Sequence, residues 1–236
     1  MAGPTLRDWM SENKNLTETN AAELTRQMLR AVHFLHRTAG ALHRDVKPQN
    51  FGFAAPVGDQ LPMLQLFDMG LVYVLPEPVV EETAQQLFDL GLGGTLHWIA
   101  PETWEGRSGA ASDLWSVGLI LHVLLLKVLP FSLQSCKEPQ ETRQAIAKGQ
   151  LAQQGASKEG LALAARLLAK DPKERATSTE ALDNAWLKAP PKTKHTVASA
   201  ASAQKRCQLP EEVERWKDRS FWHSLMLSQG HWLKAE

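Results

Sequence analysis

The apolar positions of the chain repeat with helical spacing over most of its length. The broadest stripe lies between Ala21 and Arg37 and consists of Leu24, Met28, Leu29, Val32, Phe34 and Leu35. Because residues three and four apart share one face of a helix, the stripe predicts an amphipathic helix that Thr19 caps and Gly40 ends. His33 and His36 on this helix are interpreted as surface or cap residues rather than metal ligands.

Shorter apolar stripes predict further helices. They lie at residues 4–10, where Thr5 can cap the first turn, and at residues 139–149 and 157–169. A last helix is predicted after Thr177 and carries Ala181, Leu182, Trp186 and Leu187. The pattern therefore predicts a mostly α fold.

One segment, Leu114 to Leu126, is apolar on every side. Its length of about 13 residues is short of the roughly 20 that a bilayer-spanning helix needs. It is therefore predicted to be a buried core helix that begins near Ser112. Asp113 then lies in the first turn, where the helix dipole favours a carboxylate.

Two short segments read as strands. Phe51–Phe53 and Leu64–Phe67 flank a loop at residues 54–63 that contains Pro56, Gly58 and Pro62. A hairpin formed by these strands would bring Asn50 close to Asp68. The fold class is thus mostly α, with one or two short β-hairpins.

Composition limits the possible partners and locations. The 236 residues carry 26 basic and 26 acidic side chains, so the chain has no electrostatic reason to bind nucleic acid or an anionic membrane. Two cysteines, Cys136 and Cys207, are too few for a disulfide framework and favour a reducing compartment, cytoplasmic or nuclear. The charged residues near the N-terminus are unlike a signal peptide.

The residues most suggestive of chemistry lie in the sequence His43-Arg44-Asp45-Val46-Lys47-Pro48-Gln49-Asn50, called the 43–50 loop below, and in Asp68-Met69-Gly70. Phosphoryl transfer needs a carboxylate that orients the attacking hydroxyl, a cation that neutralises phosphoryl charge, and oxygen ligands for Mg²⁺. Asp45 fits the first task and Lys47 the second. Asn50 and Asp68 fit the third.

The 43–50 loop resembles the catalytic loop of eukaryotic-type protein kinases, and a lysine two residues after Asp45 is the serine/threonine form of that loop. Asp68-Met69-Gly70 is similar to the family's magnesium-binding triplet, with Met69 in place of the usual phenylalanine. The resemblance implies transfer of the γ-phosphoryl group of ATP to serine or threonine hydroxyls of protein substrates. It implies ATP and Mg²⁺ as cofactors, with Lys47, Asn50 and Asp68 contacting them.

The resemblance extends over residues 4 to 188 and implies roles for further residues. Thr95 would pack against Asp45 and Lys47 and help to orient the acceptor, so that all three are catalytic. Structural or regulatory roles fall to His43, Arg44, Gly70, Glu102, Asp113 and Arg175. Among these, a buried ion pair would join Glu102 to Arg175, and Asp113 would anchor the backbone of the catalytic loop unless it is only a helix cap.

Arg44 would pair with a phosphate or an acidic group on the long irregular segment between Gly70 and Ala100, which resembles an activation segment. Thr83, between Glu82 and Ala84 in this segment, is the candidate site for such a phosphate.

Two features of the kinase template are missing from the sequence. No Gly-x-Gly-x-x-Gly is present, and Lys14 is the only lysine before the 43–50 loop. Residues 1–188 are therefore interpreted as the carboxy-terminal lobe of a kinase domain, with the N-terminal β lobe absent. The chain is then a truncated active kinase, a pseudokinase-like scaffold that binds a protein partner, or one half of a site completed by another chain. We expect it to bind Mg·ATP weakly and to transfer phosphate slowly or not at all.

The remaining residues change in composition. Residues 189–209 are rich in Pro, Lys, Ser, Ala and Thr, which predicts a flexible linker. Residues 210–236 form a Trp-rich tail with a helical apolar pattern. That tail is predicted to dock on its own domain or, alternatively, to bind a protein partner.

Overall fold

The computed structural model describes residues 3–13, 16–58 and 60–188, so the predicted linker and the predicted tail lie outside the described residues. The α-helices are α1 (Leu6–Glu12), α2 (Glu18–Phe34), α3 (Ala110–Leu126), α4 (Pro139–Lys148), α5 (Lys158–Leu167), α6 (Ser178–Leu182) and α7 (Ala185–Lys188). The strands are β1 (Ala41–Leu42), β2 (Phe51–Phe53), β3 (Leu64–Leu66), β4 (Tyr73–Val74), β5 (Phe88–Asp89) and β6 (Arg107–Ser108).

The first two helices begin at threonine caps. The Thr5 hydroxyl accepts a hydrogen bond from the Asp8 amide at 3.2 Å, as the sequence predicts. The cap of α2 is Thr17, whose hydroxyl accepts from the Asn20 amide at 3.2 Å. The prediction of Thr19 was therefore wrong, because Thr19 already lies inside the first turn. A π-helical turn extends α2 to the predicted stop at Gly40, which has a φ of 65°.

Three antiparallel two-stranded sheets occur in the described part of the chain. The predicted hairpin of β2 and β3 is present, with Phe51 opposite Leu66 and Phe53 opposite Leu64. β1 pairs with β4, and β5 pairs with β6. The sequence located the β2–β3 hairpin but not the other two sheets, because two-residue strands are too short to show alternation.

The predicted core helix α3 lies at the centre of the fold and packs against α2 and α5. Nearly all of its residues are buried. Gly118 allows the close approach of α5, because a Cβ there would lie 2.8 Å from the Cβ of Leu167. No helix within the described residues is long and apolar enough to cross a membrane.

The last predicted helix is divided into α6 and α7. Thr177 caps α6 as predicted, through the amide of Glu180 at 3.2 Å. The helix then stops, and the Asn184 side chain accepts a hydrogen bond from the Trp186 amide at 2.9 Å, which starts α7. Asn184 therefore acts as a cap where the apolar spacing alone predicts continuous helix.

Candidate active site

The 43–50 loop follows β1 and is held by one buried carboxylate. Asp113, in the first turn of α3, accepts hydrogen bonds from the backbone amides of His43 and Arg44, each at 2.8 Å. His36 donates to the same carboxylate at 2.7 Å. Asp113 is therefore more than a cap of its own helix, because it fixes the start of the loop that carries Asp45.

The environment of Asp113 keeps it ionised. Burial acts to raise its pKa, but the hydrogen bonds from His36 and from the His43 amide, together with the nearby imidazoles, outweigh burial and lower the pKa of Asp113 below its ordinary value. His36 is 1% exposed, so its interpretation as a surface or cap residue was wrong. The apolar stripe gave no sign of this, because its partner is 77 positions away.

Asp45, Lys47 and Thr95 form a closed set of hydrogen bonds, called the polar ring below. The Lys47 ammonium donates to Asp45 Oδ2 at 2.6 Å and to Thr95 Oγ1 at 2.8 Å. The Thr95 hydroxyl donates to Asp45 Oδ1 at 2.7 Å. An ammonium has three donors and each carboxylate oxygen has two lone pairs, so the ring keeps capacity for a ligand.

Asn50 lies beside the polar ring and is oriented by it. Its amide nitrogen donates to the Asp45 carbonyl at 2.8 Å and to Asp45 Oδ2 at 3.3 Å. Since the nitrogen is used in these contacts, the side-chain oxygen is the atom that remains for a cation. An amide oxygen is a suitable ligand for Mg²⁺.

His43 joins this loop to the segment that carries Asp68. Its Nδ1 accepts from the Asp45 amide at 3.2 Å and its Nε2 donates to the Phe67 carbonyl at 3.1 Å, which fits the tautomer protonated at Nε2. The Phe67 amide also donates to the Asn50 carbonyl at 2.9 Å. Asp68 therefore follows directly after the residue opposite Asn50.

Asp68 has an exposed side chain and a left-handed backbone with a φ of 63°. Its Oδ1 accepts a hydrogen bond from the Gly70 amide at 3.3 Å. Met69 packs on a small apolar cluster that includes Leu35 and Val72. The thioether thus fills an apolar site while the carboxylate faces solvent.

The residues present fit a magnesium site shared with phosphate oxygens. Within the described residues, no group of three or more His, Cys, Asp and Glu side chains is placed to hold a metal. Mg²⁺ is commonly held by one or two protein carboxylates together with substrate phosphates. One exposed carboxylate, Asp68, next to the residue opposite Asn50 is a set of that kind.

Arg44 and Thr83 are not brought together in the described structure. The Arg44 guanidinium donates to the Leu90 carbonyl at 2.9 Å, while its Nε is buried without a partner in the described residues. The Thr83 hydroxyl instead accepts from the Val80 amide at 3.0 Å. No contact between Arg44 and Thr83 therefore supports the predicted phosphate site, which stays a prediction.

Sequence reasoning missed the role of Glu81. Its carboxylate accepts hydrogen bonds from Arg37 at 2.9 Å, from Thr177 at 2.7 Å and from Thr179 at 3.1 Å. These contacts tie the irregular segment after Gly70 to α6. The partners are distant in sequence, so no local pattern could have identified them.

The expected ion pair between Glu102 and Arg175 is present and bidentate, with contacts of 2.7 and 3.0 Å. Ser112 donates to the same carboxylate at 2.7 Å, and the guanidinium lies 5.1 Å from the Trp115 ring centroid. Both partners are buried. The pair joins the segment after Thr95 to the residues that precede α6.

Comparison with known proteins agrees with this arrangement. The family model described as protein kinase domain matches residues 1–187. Calcium-dependent protein kinase 1 of Arabidopsis thaliana is 31% identical over 192 residues, which cover 79% of this chain and 29% of that relative. Calcium-dependent protein kinase 12 of Oryza sativa subsp. japonica is 31% identical over 196 residues, covering 79% and 33%. The chain thus spans about a third of the length of these curated relatives.

The fold is also similar to solved structures. A crystal structure of the Rad53 kinase domain and SCD2 in complex with AMPPNP matches with a TM-score of 0.62 and 24% identity, covering 82% of this chain and 68% of that one. A second structure of Rad53 kinase domain and SCD2 has a TM-score of 0.62 and 26% identity, covering 81% and 64%.

Proposed function

The chain belongs to the protein kinase family, and we propose that its polar ring serves transfer of the γ-phosphoryl group of ATP to a serine or threonine hydroxyl of a protein substrate. The observation that carries this proposal is the closed set of contacts among Asp45, Lys47 and Thr95. A protein that used this fold only as a scaffold would have no chemical need for that set.

We propose that residues 1–188 form the carboxy-terminal lobe of a kinase domain. The mostly helical fold and the sequence without a Gly-x-Gly-x-x-Gly support this assignment. We expect nucleotide binding to be weak when only this lobe contacts the nucleotide.

Asp45 acts in the proposed reaction as the group that orients the acceptor hydroxyl and takes its proton. One lone pair remains on Oδ1 after Thr95 is bound, whereas Oδ2 accepts from both Lys47 and Asn50. Thr95 and Lys47 hold the carboxylate in one orientation, which removes the need to order it during the reaction.

Lys47, Asn50 and Asp68 provide the charge and the oxygen ligands. Bound Mg·ATP would supply the phosphoryl group and a divalent charge that stabilises the phosphate oxygens. Asn50 Oδ1 and the Asp68 carboxylate are the groups that would hold the cation. The ammonium of Lys47 would face the transferred phosphoryl group. A structural neighbour with this fold, the Rad53 kinase domain, was crystallised in complex with AMPPNP.

Titration of the full chain with Mg·ATP tests the proposal. We expect the melting temperature to rise with Mg·ATP and the rise to disappear when EDTA removes the cation, because the site has carboxylate and amide ligands for Mg²⁺. Transfer from radiolabelled ATP to a mixed serine and threonine peptide library would then show the activity. The absence of any shift at millimolar Mg·ATP would contradict the proposal and favour a scaffold that binds a protein partner.

A further inference from the structure

Phe67 is a large aromatic residue that the fold leaves 42% exposed. It follows β3 and directly precedes Asp68. Fully burying a phenylalanine side chain would be favourable, and single exposed apolar residues are common on protein surfaces. The position of this ring, rather than its exposure alone, is what suggests a function.

Gly52 provides the seat for the Phe67 ring. A Cβ built on Gly52 would lie 2.9 Å from Phe67 Cε1, closer than real Cβ atoms approach other carbon atoms. Glycine inside a strand weakens the strand, and it marks a position where another group approaches the backbone closely. The missing side chain of Gly52 therefore lets the ring lie against the backbone of β2.

The ring lies on the outer face of the β2–β3 hairpin. Phe51, Phe53 and Leu64 are buried on the core side, and Gly52 pairs with the exposed Gln65 on the opposite side. Phe67 is two residues beyond Gln65, and side chains two positions apart along a strand point to the same face, so Phe67 also lies on the outer face.

The backbone of Phe67 is fixed by the candidate active site. Its amide donates to the Asn50 carbonyl at 2.9 Å and its carbonyl accepts from His43 Nε2 at 3.1 Å. The ring is thus attached to the residues that position Asn50 and Asp68. An exposed aromatic ring whose backbone is fixed beside the candidate phosphate site is suited to a planar base, because aromatic side chains stack on nucleobases.

We propose that Phe67, seated on Gly52, is the platform on which the purine base of the nucleotide stacks. The inference rests on the proposed function, since it assigns a specificity-determining residue to the same site. Phe67 contributes to recognition of the base, while the polar ring, Asn50 and Asp68 contribute to recognition of the phosphates and the cation.

Calorimetric titration of the full chain with two ligands tests this assignment. Mg·ATP carries base and phosphates, whereas Mg·tripolyphosphate carries only phosphates. We expect Phe67→Ala to weaken Mg·ATP binding by about 5- to 150-fold and to leave Mg·tripolyphosphate binding unchanged. Phe67→Tyr keeps the aromatic face and should bind Mg·ATP like the unsubstituted chain.

Two further variants separate the platform from general effects. Gly52→Ala keeps the ring but forces it from its seat, so it should weaken Mg·ATP binding selectively. Leu71→Ala removes a neighbouring apolar side chain that is 37% exposed, and it should change neither affinity. Circular dichroism and melting curves establish that each variant is folded.

Each other outcome overturns the inference in a distinct way. Equal Mg·ATP affinity in Phe67→Ala and the unsubstituted chain would remove the platform and leave the proposed function intact. Tighter binding by Phe67→Ala would show that the ring obstructs the base. Equal affinities of the unsubstituted chain for the two ligands would exclude a base subsite. Binding of neither ligand would reject the proposed function together with the platform.

Discussion

Two charge pairs in this molecule have similar contact distances and different surroundings. Arg175 and Glu102 meet at 2.7 Å with side chains that are 0% and 2% exposed, whereas Lys47 and Asp45 meet at 2.6 Å with side chains that are 17% and 11% exposed. The first pair is enclosed by Ser112 and Trp115. The second borders solvent and keeps one lone pair, on Asp45 Oδ1, for a ligand. Contact distance alone therefore does not distinguish an enclosed pair from one that borders solvent.

Two aspartates show the same contrast. Asp113 is buried and accepts hydrogen bonds from three donors, while Asp68 is exposed and accepts one long contact from a backbone amide. A carboxylate whose oxygens are used by the protein stabilises the fold. A carboxylate left open to solvent is available to bind a cation. The four predictions below test this division, from the largest expected effect on stability to the smallest.

Arg175→Ala should cause the largest loss of stability. It leaves Glu102 buried without its partner, which typically costs about 3–5 kcal/mol. Urea denaturation of the purified variant measures the loss. Arg166→Ala is the matched control, because Arg166 pairs with Glu180 at 2.9 Å with both side chains about half exposed, and such pairs contribute about 0–1 kcal/mol. Similar losses in the two variants would contradict the division.

Asp113→Asn should lower the free energy of unfolding by about 2–3 kcal/mol. The variant loses hydrogen bonds to a charged acceptor, and the amide nitrogen of asparagine places a donor next to the donors that contact Asp113. The pKa of Asp113 is lowered in the folded state, by His36 and His43 against the opposing effect of burial. Its contribution is therefore present above the unfolded pKa of about 3.9 and is lost as pH falls through the lower folded pKa. Melting curves between pH 7 and pH 3 should show that acid destabilises the variant less than the unsubstituted chain.

Glu81→Gln should have a smaller effect, concentrated in one segment. Glu81 binds Arg37, Thr177 and Thr179, but solvent screens a carboxylate that is 46% exposed, so we expect about 0.5–1 kcal/mol. In limited proteolysis, the segment of residues 76–90 should be cleaved faster in this variant than in the unsubstituted chain. In the Glu82→Gln variant, at the exposed neighbouring position, the protease should cleave this segment at the rate of the unsubstituted chain. Equal cleavage rates in the Glu81 and Glu82 variants would show that the contacts of Glu81 do not hold the segment.

Asp68→Asn should change stability by less than about 0.5 kcal/mol, because the side chain is exposed and asparagine tolerates a positive φ. The same substitution should abolish the increase in melting temperature produced by Mg·ATP. The unsubstituted chain with and without Mg·ATP is the reference. A large loss of stability without ligand would place Asp68 among the structural carboxylates and remove the contrast with Asp113.

Sequence patterns anticipated much of this fold because they are local. Helical apolar spacing identified α2, α3 and α5, and the motifs named the members of the polar ring. The two-residue strands β4 and β5 escaped detection, since pairing with distant segments forms them. Glu81 and Gly52 escaped for a related reason: their partners are set by tertiary structure, and neither residue stands out in the sequence.

The hydrogen bonds from the backbone amides of His43 and Arg44 to Asp113 have a consequence for amide hydrogen exchange. Both amide hydrogens are bonded to a buried carboxylate on the central helix, so exchange requires the loop to separate from α3. We therefore expect these two loop hydrogens to exchange with deuterium as slowly as those in the middle of α3, through whole-molecule opening rather than local fluctuation.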